Sequence, residues 1–288
     1  MRLLEGTPHE AVGLDLIEGA WTQVVGSIAD REVVARALDG CEATLHKPHV
    51  ATHTAREFVD VNVVGTLNLL EEAVARGCKG FVFTSTTSTF GRALVPPPGE
   101  PAAWITEDVR PVPKNIYGVT KVAAEDLCEL YHRRHGLPVI VLRTSRFFPE
   151  ADDDPHVRAT YEDLNAKVNE LLHRRLDIAD AAEAHLLALT RATDSAPLFA
   201  RYILSATTPF TRADLPFLRT HPATALARHV PFQDEYTRRN WRLFPSIDRV
   251  YDNARARRDL AWEPRTTFQT ALTRLRQNEL PFSPLTHQ

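Results

Sequence analysis

Gly80-Phe81-Val82-Phe83-Thr84-Ser85 is the stretch on which the fold turns: a short apolar run that passes straight into a hydroxyl cluster, Thr84 to Thr89. A run of this length, started by a glycine and ended by polar residues, reads as a strand buried on both faces. Upstream, Phe58, Val61, Val64, Leu67, Leu70 and Val74 recur at three- and four-residue steps, which predicts a helix from about Thr54 to Arg76, closed by Gly77. Downstream, a Pro-rich loop from Val95 to Pro113 leads to a helix over Asn115 to Arg134, with Ala123, Ala124, Leu127 and Leu130 inward. A second apolar strand, Leu137 to Arg143, follows. Apolar strands alternating with helices imply a parallel sheet covered on both faces, the Rossmann-like doubly wound α/β class.

Two shorter runs precede this centre, Ala11 to Leu16 and Gln23 to Ile28, and both read as buried parallel strands. Asp30 can cap a helix over Arg31 to Leu38 that stops at Gly40. Beyond residue 145 the pattern is less regular. Helices are expected near Tyr161 to His173, Ile178 to Ala192 and Thr267 to Asn278, with a strand near Ala200 to Leu204. The expected division is an α/β domain over 1–145 and a smaller lobe over 146–288.

Composition narrows the function. The 288 residues suffice for a sizeable core, and 43% hydrophobic with 25% charged residues is ordinary for a folded chain. A formal charge of −3 gives no field to attract nucleic acid or an anionic membrane, so a small-molecule partner is expected. No apolar run approaches a membrane span, and the first ten residues break into Glu5, Gly6 and Pro8 before a secretory core forms. Cys41, Cys78 and Cys128, odd in number and without C-x-x-C spacing, read as reduced thiols in a cytoplasmic setting.

The sharpest chemical feature is Tyr117-Gly118-Val119-Thr120-Lys121. Residues four apart share a helix face, so an ammonium can stand close enough to a phenol to favour the phenolate and make it a general base. Six tyrosines and five lysines in 288 positions give roughly 0.1 such pairs by chance. The motif therefore needs context, and the hydroxyl-rich strand end supplies it, because α/β sheets bind ligands at the carboxyl ends of their strands.

With these residues in view the sequence resembles the extended short-chain dehydrogenase/reductase family, the NAD-dependent epimerase/dehydratase group, from about Ala11 to Phe268. Four segments carry the resemblance: Asn62-Val63-Val64-Gly65-Thr66-Leu67-Asn68-Leu69-Leu70; Phe81 to Gly91; Tyr117 to Lys121; and Asp252-Asn253-Ala254-Arg255 leading to Leu260-Ala261-Trp262-Glu263-Pro264. The resemblance implies an NAD-binding oxidoreductase, epimerase or dehydratase, with 1–145 as dinucleotide-binding domain and 146–288 mainly as substrate lobe. By it, Tyr117 transfers the proton, while Lys121 lowers its pKa and holds the nicotinamide ribose. Thr86 hydrogen-bonds the reacting oxygen, and Asn62 supports the active-site helix. Asp15 matches the acid that binds the adenosine ribose and favours NAD over NADP. Ser27 and Ile28 match the adenine contacts, although the family usually has Asp where Ser27 stands. Thr144 and Ser145 match positions passing the nicotinamide, and Arg146 the start of the substrate contacts. A homodimer packed through the Thr54 and Asn115 helices is also implied.

Two departures bear on activity. The fingerprint G-x-x-G-x-x-G is absent, so the chain starts at what the family counts as its second strand and reads as an N-terminally truncated relative with impaired activity. Gly40 to His46 is too short for the full strand expected there. A non-catalytic binding or scaffold protein that has lost its cofactor is the alternative. A metal reading of His46, His49 and His53 lacks a completing ligand, and Pro48 interrupts any helix that would align them, so no metal is expected. The acidic loop Pro149 to Pro155 reads as a solvated face.

Overall fold

A computed structural model describes residues 2–5, 7–47, 54–148, 150–152, 154–194 and 198–284. The first third runs β1 (Leu14–Asp15), β2 (Val24–Val25), α1 (Arg31–Ala37), β3 (Ala43–His46) and a helical stretch in three parts. That stretch is α2 (Ala55–Val59), a π-helical turn over Asp60–Gly65, and α3 (Thr66–Ala75). The middle holds β4 (Gly80–Thr86), β5 (Ala103–Ile105), α4 (Ile116–His135), β6 (Val139–Thr144), β7 (Arg146–Phe147), α5 (Pro155–Thr160) and α6 (Asp163–Glu170). The last part is β8 (Arg175–Leu176), α7 (Ile178–Asp194), β9 (Phe199–Leu204), α8 (Leu215–Leu218), α9 (Pro222–Ala227), α10 (Gln233–Arg239), β10 (Arg249–Tyr251), α11 (Ala254–Leu260) and α12 (Phe268–Arg276).

The chain forms two compact units. The first takes residues 1–91, 113–143 and 185–202. Its sheet is ordered β3-β4-β6-β9, and β3 runs parallel to β4 in register from Ala43 opposite Gly80 to His46 opposite Phe83. Leu69, Leu70, Phe81, Phe83, Ala124, Val139 and Val141 make its core, which is the doubly wound α/β pattern read from the sequence. Local chemistry fixes the helix ends. Thr54 forms a capping box with Glu57, Asn115 Oδ1 accepts the Gly118 N–H at 2.9 Å, and Gly136, at φ 71°, turns the chain out of α4.

The N-terminal strands depart from expectation. β1 and β2 are two residues each and, among the described residues, pair only with one another, as a ladder separate from the four-stranded sheet. With no further strand beside them among the described residues, Leu16, Ile17 and Val25 are 55%, 74% and 51% exposed. They are not the buried strands that their composition implies. β3 is short, as read, with four residues against seven in β4.

The second unit takes residues 92–112, 144–184 and 203–288 around a core of Phe148, Val168, Leu172, Phe210, Tyr236, Phe268 and Leu272. The Pro-rich loop is not wholly irregular: it contains β5, which pairs in parallel with β10, more than a hundred residues away. The acidic loop also differs from its reading. Asp152 is 6% exposed and accepts from Arg174, with Arg146 at 3.3 Å, while Asp154 caps α5 through the His156 N–H. Asp153 and Pro149 lie outside the described residues.

Candidate active site

β4 and α4 set the geometry. Asn115 starts α4 so that Tyr117 and Lys121 fall one turn apart on the same face, toward the carboxyl end of β4. The Lys121 side chain is buried: its Nζ donates to the Thr84 carbonyl at 2.9 Å, and it stands 5.1 Å from the Phe83 ring centre and 5.7 Å from that of Tyr117. Burial pushes this amine from its ordinary 10.5 down to about 7; the Glu125 carboxylate opposes that shift and Lys47 adds to it. Its charge therefore changes within the neutral pH range. The half-buried Tyr117 ring also packs at 5.6 Å on Phe58 of α2.

Thr86 ends β4, two residues past the carbonyl that Lys121 holds. Its hydroxyl accepts the Ser88 N–H at 3.1 Å and its carbonyl accepts the Thr89 hydroxyl at 2.8 Å, so the bend after β4 is tied at its first residue. The Thr86 hydroxyl keeps a proton to donate.

Asn62 lies in the π-helical turn and is fully buried. Its Nδ2 donates to Thr120 Oγ1 at 3.0 Å, and Thr120 in turn donates back into the first turn of α4, to the Ile116 and Tyr117 carbonyls at 3.0 Å. The Asn62 Oδ1 is a buried acceptor without a partner among the described residues. The Asn62 carbonyl takes the Thr66 hydroxyl at 2.6 Å. That commits the Thr66 proton, so at 3.0 Å the His46 Nε2 is the donor to Thr66 Oγ1. Burial, with the Lys121 charge adding to it, pushes His46 down to about 3, which keeps the ring neutral.

The residues matched to the adenosine end are engaged locally. Asp15 is exposed and its Oδ1 accepts the Ile17 N–H at 3.2 Å, while Ser27 Oγ accepts the Ala29 N–H at 3.1 Å. Ile28 lies against Gly65, where a Cβ would come within 2.5 Å of its side chain, and its carbonyl accepts Asn68 Nδ2 at 2.9 Å. In the second unit, Thr144 and Ser145 are buried, and Ser145 Oγ has no partner among the described residues. Arg146 stands 3.3 Å from Asp152 and 3.6 Å from Glu170.

Two sets of buried polar groups were missed in the sequence. Glu125 and Arg143 pair at 2.8 Å, Ser85 donates to Glu125, and Thr84 Oγ1 meets His185 Nε2 at 2.8 Å. Two signals were there to use: Glu125 continues the four-residue step from Tyr117 through Lys121, and Arg143 is a charge inside an apolar strand.

No three His, Cys, Asp or Glu side chains gather into a metal-binding group among the described residues; His49, His53 and Pro48 lie outside them. No helix among the described residues is long and apolar enough to cross a membrane.

A dinucleotide makes different demands at its two ends. The nicotinamide ribose would need a donor beside Tyr117, and the buried Lys121 amine is a donor in that position. The pyrophosphate needs backbone N–H groups at a glycine turn that opens a helix, and no helix start among the described residues follows a G-x-x-G-x-x-G turn.

The sequence profile of the NAD dependent epimerase/dehydratase family matches residues 4–198. UDP-glucose 4-epimerase of Corynebacterium glutamicum is 34% identical over 142 residues, 49% of this chain and 36% of that protein. GDP-6-deoxy-D-mannose reductase of Pseudomonas aeruginosa is 33% identical over 124 residues, 42% of this chain and 39% of that protein. The chain thus spans well under two thirds of the length of these curated relatives. Among solved structures, a short-chain dehydrogenase/reductase superfamily protein from Agrobacterium tumefaciens, with bound NAD, is similar at a TM-score of 0.65 and 20% identity, covering 96% of this chain and 93% of that chain. At that identity the likeness speaks for the fold.

Proposed function

The chain belongs to the NAD dependent epimerase/dehydratase family, and from that premise we propose that it is a nicotinamide-dependent epimerase, dehydratase or reductase acting at a hydroxyl- or carbonyl-bearing carbon. The observation that carries this reading is the Lys121 amine, buried beside the Tyr117 ring with its charge poised near pH 7. A charged amine there stabilises the phenolate, so Tyr117 can take the proton of a substrate hydroxyl or return it to a carbonyl oxygen. Thr86 steadies that oxygen, because a hydroxyl can both donate and accept as alcohol and ketone interconvert. Asn62 holds the first turn of α4 through Thr120. When bound, the nicotinamide supplies the hydride acceptor; Lys121, Thr144 and Ser145 are the residues we assign to its end of the cofactor, and Asp15, Ser27 and Ile28 to the adenosine end, with NAD preferred over NADP.

The names of the relatives direct the substrate search to nucleoside-diphosphate sugars, with Arg146 as a candidate contact. Replacing Tyr117 by Phe is expected to lower the turnover of such a substrate by at least ~10²-fold. An unchanged rate would remove Tyr117 from the reaction.

The second reading is a binding or scaffold protein without cofactor. Fluorescence titration with NADH separates the two: saturable micromolar binding supports the enzyme, and no binding up to millimolar supports the scaffold. We also propose a homodimer through the helices that start at Thr54 and Asn115, which light scattering would reject by finding monomer alone.

A further inference from the structure

Glu125 lies one turn beyond Lys121 and two beyond Tyr117, so phenol, amine and carboxylate share one face of α4. The carboxylate is 1% exposed and held by three other elements. From β4, Ser85 Oγ donates to Oε1 at 2.5 Å. From β6, Arg143 Nε donates to Oε1 at 3.1 Å and Nη2 to Oε2 at 2.8 Å, with the guanidinium 4.9 Å from the Phe90 ring centre. From β9, Arg201 Nε stands 3.5 Å from Oε2.

Burying two charges in this way brings little net stability over an apolar packing of similar volume. A pair so fully bonded does fix one register of α4 against β4 and β6, and register matters here. The Thr84 carbonyl that receives Lys121 is adjacent to Ser85, which binds Glu125, and Thr86 comes next. A helix that slid along the sheet would carry the amine off that carbonyl.

We propose that Glu125 is a positioning residue: with Ser85 and Arg143 it pins α4 to the ends of β4 and β6, and so holds the Lys121 amine on the Thr84 carbonyl beside Tyr117. The proposal rests on the reading of Tyr117 and Lys121 as the reacting pair, but its test needs neither substrate nor cofactor. The groups that face Lys121 are Tyr117, Glu125 and Cys128 from its own helix, His46 and Lys47 from the end of β3, and the Thr84 carbonyl from β4. His46 is neutral, and the buried Cys128 thiol is pushed far above its ordinary range, so Glu125 is the anion that supports the ammonium.

The chain has five lysines, few enough for selective isotope labelling to resolve Lys121 by NMR, assigned with Lys121→Arg. Its titration midpoint, about 7 in the parent chain, is expected to fall by ~1 unit in Glu125→Gln and to be largely restored in Glu125→Asp. The double variant Glu125→Gln/Arg143→Met leaves no unpaired buried charge and should show the same fall if the single variant does not fold. A folded variant with an unmoved midpoint would overturn the proposal. Failure of both variants to fold would also overturn it, since the pair would then serve the fold and not the placement of Lys121. A shifted midpoint in a parent chain that turns over no nucleotide sugar would uphold the placement and reject the catalytic reading alone.

Discussion

Two ladders in the first unit start from similar sequence and end in opposite surroundings. β4 has neighbours on both edges, helices over it, and buried residues from Gly80 to Ser85. β1 and β2 are also apolar, but among the described residues have only each other, and Ile17 just beyond β1 is 74% exposed. An apolar run thus shows that a strand forms; whether it is covered depends on how many ladder neighbours it finds. The difference matters for chemistry, because a polar group is held at a fixed distance only where water cannot replace its partner. Lys121, Glu125, Arg143 and Ser85 all lie on the covered side of that comparison, whereas Asp15 lies on the other.

The largest effect should come from opening the covered side. Removing Arg143 leaves Glu125 buried without its main counter-charge, so Arg143→Ala is expected to cost ~3–5 kcal/mol of unfolding free energy, read from urea titration. A loss below ~1 kcal/mol would mean that water reaches the end of β4, and the contrast between the ladders would fail there. Leu70→Ala, at a fully buried position in the same core, should cost ~2–5 kcal/mol through the cavity it leaves.

A smaller, pH-dependent effect sharpens the comparison at β3. His46 titrates at about 3 in the folded chain against an ordinary 6.5, so the unfolded chain takes up a proton first as the pH falls. The stability this neutral ring contributes is complete above 6.5 and is lost between 6.5 and about 3. His46→Gln, which can still donate to Thr66, should flatten the decline of stability between pH 7 and pH 5. If both chains lost stability in parallel over that interval, His46 would not be the sealed group that its surroundings imply.

What was legible in the sequence follows the same line. α4 and the stretch from Thr54 to Gly77 could be read because their caps and apolar steps are local: Thr54 with Glu57, Asn115 with Gly118, the turn at Gly136. The Tyr117 and Lys121 pairing is local too. The pairing of β5 with β10 was hidden, because three residues inside a Pro-rich stretch say nothing of a partner at Arg249 to Tyr251. Asp152 was hidden likewise; an acid among acids reads as solvated until Arg146 and Arg174 are brought to it. The π-helical turn at Asn62 preserves the apolar period closely enough to pass for plain α-helix.

The smallest effect belongs to the uncovered side and tests the comparison from its other end. Ile17 and Val25 contribute little to the core if their exposure reflects how the chain folds, since an apolar side chain left in water gains nothing from burial. Ile17→Ser and Val25→Thr should therefore each change unfolding free energy by no more than ~0.5 kcal/mol. The double variant should remain soluble at higher concentration than the parent, because it removes part of an exposed apolar patch beside an open ladder edge. A loss of ~2 kcal/mol or more from either substitution would show that something covers these residues in solution, and the two ladders would then differ in what covers them and not in whether they are covered.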